Sequence, residues 1–413
     1  MTKVLVIGSG GREHALVWKL NQSDCAIYCA PGNGGISDLA QCIPIKADDL
    51  SGLLTFAKQE NIDLTIVGPE VPLGLGIVDE FEKNNLKIFG PNRKAAQLES
   101  SKHFAKNFCQ KYSLPTPDFK SFTDSTSAKN YIETKKFPIV IKASGLAAGK
   151  GVIIAENKEQ ALMSIDRIIE KKEFGKAGET IVIEDFISGQ EVSMLAICDG
   201  NKIIPMIPAR DHKPLLDGNK GPNTGGMGSY APIPEFKEKW LTRLQAELFN
   251  PILKGLKKEN IEYKGILYAG LIISDNNFYV LEFNCRWGDP EAEVLLPLLI
   301  TDLASLCFDT IDGKLKQVEW KDEYALTVIA ASIGYPDKYE TGKLITGDLK
   351  DNDDTMIFHC GTKKEHSQYF TAGGRVLAVT GIGKTLSQAR EKSYSALKKI
   401  NFDKMYYRTD IGK

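Results

Sequence analysis

The chain has 413 residues, of which 42% are hydrophobic and 25% are charged, and its formal net charge is −1. This composition is that of an ordinary globular protein, long enough for two to four domains that each bury a core. A net charge so close to zero gives no global field for nucleic acid or for an anionic membrane, so we expect neither as a partner.

The predicted elements begin with short apolar strands that alternate with helices. Strands are predicted at 4–7, 26–30, 64–67 and 87–89, and helices at 13–21, 49–60 and 72–84. This alternation predicts a parallel α/β layer. A Lys-containing helix follows at 98–112. It ends before a Leu-Pro-Thr-Pro segment at 114–117, which marks a boundary because each proline disfavours helix at the residue before it.

The first strand runs into a glycine turn with Gly8, Gly10, Gly11 and then Glu13. The turn opens like a dinucleotide fingerprint, but Glu13 stands at the third glycine position, where a carboxylate would repel a pyrophosphate. A helix N-terminus can still hold one monophosphate. A sugar monophosphate with a basic amine would suit Glu13 and Glu70, so the turn favours such a ligand over NAD. His14 is interpreted as a helix-face residue and not as a catalyst.

Residues 137–152 form a short apolar strand that ends in Lys142, followed by a loop with Gly145, Gly149, Lys150 and Gly151. The glycine spacing is one residue short of the P-loop pattern. Glycines let a backbone approach a polyphosphate closely, so we predict a β-hairpin that closes over phosphates as a lid. An ordinary flexible turn would account for the glycines but less well for the two lysines.

Two further segments suggest a bound ligand. Residues 180–194 read as an apolar strand that reaches Glu184 and Asp185, then turns before Glu191. A strand edge of this kind can meet the rim of a purine, although acidic strand ends are common. The second segment, GPNTGGMG at 221–228, follows Asp-His-Lys at 211–213. It has too little apolar content to pack on itself, so it is mobile or wrapped around a ligand.

The segment VLEFNCRWGDPE at 280–291 carries the strongest chemical signal. Glu282 and Asn284 are two apart on an apolar strand, so both side chains point to one face. Their oxygens suit Mg²⁺ that also holds nucleotide phosphates, and Arg286 continues the alternation as a bidentate anion clamp. Taken alone, the segment could also be an edge strand with a solvated polar face. After about residue 322 the chain becomes strand-rich, at 325–333, 355–359 and 375–380, and ends in an amphipathic helix at 386–400.

The order of these segments resembles the ATP-grasp fold, in which two α+β lobes hold ATP between them. With KVLVIGSGGREH at 3–14, APGN at 30–33 and GPE at 68–70, nearly the whole chain is similar to the glycinamide ribonucleotide synthetase family. Ser144 departs from the family pattern, which has Asp in the Lys-Ala-Asp-Gly run. Because Ser144 still suits a turn, we expect a local effect and no loss of activity.

The resemblance implies a multidomain α/β and α+β fold. An N-terminal parallel α/β domain at 1–101 would bind phosphoribosylamine. A two-lobed ATP-grasp core at 102–322 would carry the lid lobe at about 121–190, and a small α+β domain would follow at 323–413. The implied activity is the ATP-dependent ligation of glycine to 5-phosphoribosylamine through glycyl phosphate, a step of purine biosynthesis. The implied cofactors are ATP and Mg²⁺, or Mn²⁺ in its place.

The resemblance also implies roles for individual residues. Lys142, Asp211 and Arg286 would be catalytic, with Asp211 on the ammonium of glycine and Arg286 on its carboxylate, and Glu282 and Asn284 would hold the metal. For ATP it implies Lys102, Lys142, Lys150, Glu184, Asp185, Phe186, Ile187 and Glu191. For the other substrates it implies Gly10, Gly11, Glu13, Pro31, Gly32, Asn33, Gly68, Pro69, Glu70, Asp211, Asn223, Thr224, Gly225, Gly226, Arg286 and Asp289.

Two alternatives remain open at this point. One is another ATP-grasp carboxylate–amine ligase, from which the first-domain motifs distinguish this chain. The other is a nucleotide-binding sensor without turnover, whose signature would be the loss of Glu282, Asn284 or Arg286. Eight scattered cysteines without a Cys-x-x-Cys pair indicate thiols in a reducing compartment. With no secretory signal or membrane-length apolar run, we expect a cytoplasmic protein, and we take a monomer as the working state.

Overall fold

The computed structural model describes residues 1–147 and 149–413. Residue 148 belongs to the predicted glycine loop, so this part of the motif lies outside the described residues.

The N-terminal region is the predicted parallel α/β layer. Its elements are β1 Thr2–Gly8, α1 Gly11–Leu20, β2 Cys25–Pro31, β3 Gln41–Cys42, α2 Leu50–Gln59, β4 Leu64–Val67, α3 Glu70–Leu75, α4 Ile77–Lys83 and β5 Ile88–Phe89. The strands pair in the order β3-β2-β1-β4-β5, all parallel. The helix predicted at 72–84 is divided because Gly76 adopts a left-handed conformation with φ of 93°.

The helix predicted at 98–112 is also divided, into α5 Gln97–Ser100 and α6 Lys102–Lys111. Ser101 has extended backbone torsions, and its side chain accepts a hydrogen bond from the Phe104 N–H at 3.2 Å. Ser101 is therefore the N-cap of α6, which explains the break.

The lid lobe has its own sheet and core. Its elements are β6 Phe119–Phe122, α7 Ser125–Ile132, β7 Ile139–Ala143, β8 Val152–Ala155, α8 Lys158–Ile165 with a π-helical extension Asp166–Glu170, and β9 Ile181–Asp185. The strands pair antiparallel in the order β6-β9-β7-β8, and Lys142 stands opposite Val152. The predicted hairpin is therefore confirmed.

The second lobe contains β10 Gln190–Asp199, β11 Ile203–Pro205, β12 Arg210–Asp211, β13 Pro214–Leu216, β14 Lys220–Asn223, β15 Gly228–Ala231, α9 Glu238–Leu244, a π-helical turn Gln245–Phe249, α10 Asn250–Lys258, β16 Lys264–Ser274, β17 Asn277–Asn284, α11 Ala292–Leu298 and α12 Leu303–Ile311. One sheet has the order β11-β10-β16-β17, with antiparallel pairing. The strand β17 carries Glu282 and Asn284 at the sheet edge.

The C-terminal elements are β18 Tyr324–Ser332, β19 Leu344–Gly347, β20 Thr355–His359, β21 Thr362–Glu365, β22 Gln368–Thr371, β23 Arg375–Gly383, α13 Leu386–Leu397, β24 Ile400–Asn401 and β25 Met405–Tyr406. The strands β12 and β15 of the second lobe join β18, β23 and β20 in one sheet. This sheet crosses the predicted boundary at 322, and it fixes the 211–228 segment against the C-terminal region.

The last residues hold the β13–β14 hairpin. Arg408, only 1% exposed, donates to the Pro214 carbonyl at 2.9 Å and to Asn219 Oδ1 at 3.0 Å. The Thr409 N–H donates to Asp217 Oδ1 at 2.8 Å. This contact, which we call the C-terminal clasp (residues 408–410 on 214–219), anchors the hairpin that leads into the glycine-rich loop.

All eight cysteines are free thiols, as predicted. None of the described helices combines the length and the apolar character that crossing a membrane would require.

Candidate active site

Two cavities adjoin where the N-terminal, central and C-terminal regions meet. The larger has a volume of about 410 Å³ and the smaller about 360 Å³. Among the described residues, the two cavities share Asp289 and Arg375. A molecule in one cavity can therefore meet a molecule in the other at these two side chains.

Glu282 and Asn284 both line the larger cavity, as the strand alternation predicts. Burial alone would raise the pKa of Glu282, but Lys213, Lys142 and Lys102 lower it to about 2. The Lys213 ammonium lies 3.5 Å from Glu282 Oε1. The Glu282 carboxylate is therefore ionised in this cationic environment.

The chemistry of this pair fits a divalent metal held jointly with a nucleotide. Among the described residues, no group of three or more His, Cys, Asp or Glu side chains could hold a metal ion. Glu282 and Asn284 thus supply only two oxygen ligands, and phosphates and water would have to supply the rest. Mg²⁺ binds in this way, through one or two carboxylates and the substrate phosphates.

Arg286 lies just after strand β17 and contacts the N-terminal region. Its Nη2 lies 2.9 Å from Glu99 Oε1 and 3.1 Å from Asn284 Oδ1, and its Nε lies 3.6 Å from Glu70 Oε2. Burial lowers the pKa of Arg286, but Glu99 and Glu70 raise it by more. A permanently charged clamp in a buried network can bind a carboxylate without first being ordered.

Lys142 is buried and forms an ion pair with Glu184, with 2.8 Å between Nζ and Oε1. The other oxygen of Glu184 pairs with Lys106 Nζ, also at 2.8 Å. Lys142 further donates to the Leu281 carbonyl at 3.0 Å. These contacts join the lid lobe to helix α6 and to strand β17, and neither Lys142 nor Glu184 lines the cavity.

Ser144 ties the lid hairpin to helix α6. Its carbonyl accepts from the Lys102 N–H at 2.8 Å, and its hydroxyl accepts from the His103 N–H at 3.0 Å. Lys102 lines the larger cavity, and burial lowers its pKa. The residue that departs from the family pattern therefore binds the first turn of the helix that carries Lys102.

The glycine loop borders the larger cavity through Leu146, Ala147, Gly149 and Gly151. Gly149 has φ of +75°, a conformation that side chains rarely adopt, and an added Cβ would meet open space. The Lys150 side chain is exposed and does not line the cavity.

A second acidic group lies next to Glu291, which lines the larger cavity. Asp211 is half-buried, and its Oδ1 is buried without a hydrogen-bond partner. Burial and the neighbouring Glu291 raise the pKa of Asp211 well above its ordinary value. Glu291 accepts from the hydroxyls of Ser193 and Tyr268, each at 2.7 Å. A cation bound here would offset the cost of burying these carboxylates.

The smaller cavity combines the N-terminal glycine turn with the C-terminal region. Gly10, Gly11, Gly32 and Asn33 line one side. Glu13 lines neither cavity: its carboxylate accepts from the Gly10 N–H and from Arg12 Nε, each at 2.6 Å. The Glu13 carboxylate fills the space at the glycine turn that a dinucleotide would need. It packs so tightly against the backbone that an added Cβ on Gly68 would lie 2.0 Å from Glu13 Oε1.

Of the residues predicted for the site, those that line the larger cavity are Pro69, Glu70, Lys102, Thr224, Gly225, Glu282, Asn284, Arg286 and Asp289. Those that line the smaller one are Gly10, Gly11, Gly32, Asn33 and Asp289. The other predicted residues, all of them described, line neither: Glu13, Pro31, Gly68, Lys142, Lys150, Glu184, Asp185, Phe186, Ile187, Glu191, Asp211, Asn223 and Gly226.

Several lining residues were not predicted. In the larger cavity they include Arg12, Glu99, Lys106, Lys213, Tyr268, Glu291 and Arg375, and in the smaller one Cys360, Thr362, Gly373 and Arg375. Lys213 stands in the Asp-His-Lys segment and Arg375 follows a Gly-Gly pair, so a short sequence motif marks the position of each residue. Nothing in the sequence connects residues 360–375 with a glycine turn at residues 8–11.

A two-lobed core with a glycine hairpin and a Glu-x-Asn strand defines an ATP-grasp enzyme. The phosphoribosylglycinamide synthetase family matches along nearly the whole chain, with its N domain at residues 2–99, its ATP-grasp (A) domain at 100–292 and its C domain at 325–413. The chain belongs to this family. As an ATP-grasp enzyme, it uses ATP and a divalent metal ion.

Individual relatives support the same family assignment. A phosphoribosylamine–glycine ligase of Halalkalibacterium halodurans is 46% identical over 411 residues, which cover 99% of this chain and 96% of that one. The crystal structure of phosphoribosylamine–glycine ligase from Thermotoga maritima has a TM-score of 0.87 at 34% identity, covering 99% of this chain and 100% of that one. The biotin carboxylase domain of Hydrogenobacter thermophilus 2-oxoglutarate carboxylase, solved with MgADP, ADP and bicarbonate, shares the fold alone, with a TM-score of 0.79 at 14% identity over 98% and 91% of the two chains.

Proposed function

We propose that this enzyme joins glycine to 5-phosphoribosylamine and converts ATP to ADP and phosphate, as a ligase of purine biosynthesis. The observation that carries the proposal is the pair of adjoining cavities with Asp289 and Arg375 in common. A ligase must activate one substrate and then present it to a second. The larger cavity suits ATP and glycine, and the smaller, glycine-lined cavity suits a sugar monophosphate.

The first step brings two anions together, because the glycine carboxylate must attack the γ-phosphate. Phosphoryl transfer depends on positioning and charge neutralisation. Lys102 and Lys213 line the cavity, and we assign Lys102, Lys142 and Lys150 to the phosphates. Glu184, Asp185, Phe186 and Ile187 would border the adenine and Glu191 the ribose. Phe186 supports this assignment, since it is 39% exposed in the segment between β9 and β10.

Glu282 and Asn284 would hold Mg²⁺, or Mn²⁺ in its place, beside these lysines. When bound, the metal would neutralise charge on the transferring phosphoryl group. Arg286 would bind the glycine carboxylate, and Asp211, supported by Glu291, would bind the ammonium. Asp211 suits this role because its Oδ1 is buried without a hydrogen-bond partner.

The second step joins the activated glycine to the amine. Glycyl phosphate would remain in the larger cavity while the amine of phosphoribosylamine reaches it from the smaller one. A closed glycine loop would keep water from hydrolysing the acyl phosphate. The N-terminal region at 1–101 and the C-terminal region at 323–413 would together bind the phosphosugar, and the core at 102–322 would bind ATP and glycine.

The test is ADP release with glycine and phosphoribosylamine together, compared with each substrate alone. We expect full turnover only with both, with glycinamide ribonucleotide identified by mass spectrometry. Equal ADP release without phosphoribosylamine, or turnover with other amino acids at the same rate, would overturn the assignment. We also propose a cytoplasmic enzyme, consistent with eight free cysteines, and we keep a monomer as the working state.

A further inference from the structure

Glu293 is a buried carboxyl group that the proposed steps do not use. It lies in the first turn of α11 and is 0% exposed, and neither of its oxygens has a hydrogen-bond partner. Gly11 and Cys360 pack against it: an added Cβ on Gly11 would lie 2.4 Å from Glu293 Oε1 and 2.7 Å from Cys360 Sγ. Gly11 and Cys360 also line the smaller cavity, so Glu293 lies directly behind its wall.

The charge state of Glu293 follows from its surroundings. Burial raises the pKa of Glu293, and the neighbouring carboxylate of Asp289 raises it further, although Arg375 opposes both. A neutral carboxyl group can donate a hydrogen bond, so a protonated Glu293 is suited to support the neighbouring Asp289 carboxylate.

Asp289 lies where the two substrates must meet. Among the described residues it is the one carboxylate that lines both cavities. Its Oδ1 pairs with Arg375 Nη2 at 2.9 Å, and its Oδ2 faces the glycine turn, 3.4 Å from the position of a Cβ on Gly10. Other acidic side chains nearby already have partners and are less suited to accept a proton: Glu70 and Glu99 pair with Arg286, and Glu13 accepts from the Gly10 N–H.

We propose that Asp289 accepts the proton that the amine of phosphoribosylamine loses, and that the buried Glu293 carboxyl positions Asp289 from behind the wall of the smaller cavity. The amine lone pair attacks the acyl carbon of glycyl phosphate, and a C–N bond forms. The bond from that carbon to the phosphate oxygen breaks, and its electron pair leaves with the phosphate. One proton passes from the nitrogen to Asp289 Oδ2 and then to solvent through the smaller cavity.

This proposal rests on the proposed function, and hydroxylamine separates the two. Hydroxylamine at high concentration traps an acyl phosphate as a hydroxamate even in free solution, where water takes the proton that the nitrogen loses, so this reaction needs no protein base. In Asp289→Asn, glycine hydroxamate formation should stay within about threefold of the wild type, whereas glycinamide ribonucleotide formation should fall at least about 100-fold, the range for general-base catalysis. An equal fall in both, or in neither, would overturn the role of Asp289. Absence of glycine hydroxamate from the wild-type reaction would overturn the proposed function instead.

Variants of Glu293 test the positioning role independently. Glu293→Leu removes the donor and should slow amide formation about tenfold or more while hydroxamate formation continues, because a misplaced base loses rate steeply. Glu293→Gln keeps a donor of the same shape and should restore most of that loss. At neutral pH the infrared C=O absorption of protonated carboxyl groups should include a Glu293 band, seen as a loss in the difference spectrum of Glu293→Gln against the wild type. A band that is missing from the wild type, or Gln and Leu variants that are equally slow, would refute the neutral donor.

Discussion

Arg375 forms an ion pair with Asp289, with 2.9 Å between Nη2 and Oδ1. The same guanidinium donates from Nη1 to the Gly225 carbonyl at 2.7 Å and to the Asp289 carbonyl at 3.1 Å. One side chain of the C-terminal region therefore holds both the glycine-rich loop and the Asp-Pro-Glu segment. The C-terminal region is thus part of the site and not only a support for it.

Arg375→Ala should damage both stability and catalysis. Removing one partner of a fully buried ion pair costs roughly 3–5 kcal/mol, and this value is an upper limit here because the Arg375 and Asp289 side chains are 17% and 14% exposed. We expect a lower melting temperature and a kcat/KM for phosphoribosylamine reduced at least about 100-fold. The control is Arg390→Ala, which removes contacts to the Thr409 and Ile411 carbonyls but reaches neither cavity. A normal kcat/KM for phosphoribosylamine in Arg375→Ala would contradict the shared-wall arrangement.

Glu282→Gln should weaken the use of metal–ATP while preserving shape. The change removes the charge that Lys213, Lys142 and Lys102 surround and replaces an anionic metal ligand with a neutral one. We expect kcat/KM for ATP to fall by about 100-fold or more and the Mg²⁺ concentration for half-maximal rate to rise. The matched control is Glu262→Gln, on a side chain that is 64% exposed. Normal turnover and Mg²⁺ dependence in Glu282→Gln would refute the ligand assignment.

Gly149→Val should impair ATP use far more than folding. Gly149 has φ of +75° and borders the larger cavity, while an added Cβ meets nothing within 4 Å. We expect a small change in melting temperature and a large loss of kcat/KM for ATP. Gly175→Val is the control. Gly175 lies in the same lobe, also has a positive φ of +52°, and an added Cβ there would also meet nothing within 4 Å, but Gly175 does not line the cavity. Similar activity in the two variants would show that the loop does not cover the nucleotide.

Stability should fall as the pH drops from 7 to 5. Burial lowers the pKa of His359 from 6.5 to about 4. The unfolded chain therefore binds more protons in this range, so the stabilisation is complete above pH 6.5 and is lost as the pH falls towards 4. Between pH 7 and pH 5 the contribution of His359 to the free energy of unfolding is at most about 2 kcal/mol. Urea unfolding at pH 7 and pH 5 measures the change in the free energy of unfolding between them, and this change should be smaller in His359→Gln than in the wild type. The exposed His366→Gln is the control and should behave like the wild type.

Much of the fold was predictable because its signals are local. The parallel layer, the Lys142 hairpin and the common face of Glu282 and Asn284 all follow from strand periodicity. The breaks at Gly76 and Ser101 were missed, since each depends on one backbone conformation inside an otherwise helical pattern. The joining of β12 and β15 to the C-terminal sheet was not predictable, because no periodicity in residues 210–231 identifies a pairing partner about 100 residues away.

The difference between local signals and long-range contacts also decides what could be predicted of the site. Motif residues such as Asn33, Thr224 and Asp289 line the cavities as the resemblance implied, although their individual roles remain predictions. The charged partner of Asp289 could not be predicted from residue spacing, because Arg375 meets Asp289 only through tertiary packing. Glu13 has an acidic side chain suited to a substrate amine, yet the backbone N–H of Gly10 and the Arg12 guanidinium bind it first.

The C-terminal clasp sets an order of events during synthesis on the ribosome. Arg408 and the Pro214 carbonyl that it binds are 194 positions apart. At about 5–20 residues per second, the hairpin is made roughly 10–40 s before the residues that anchor it. During most of that interval the glycine-rich loop has neither the clasp nor Arg375 to hold it. A nascent chain can therefore fold its parallel layer and its lid lobe early, while both cavities stay incomplete until Arg375 has been made.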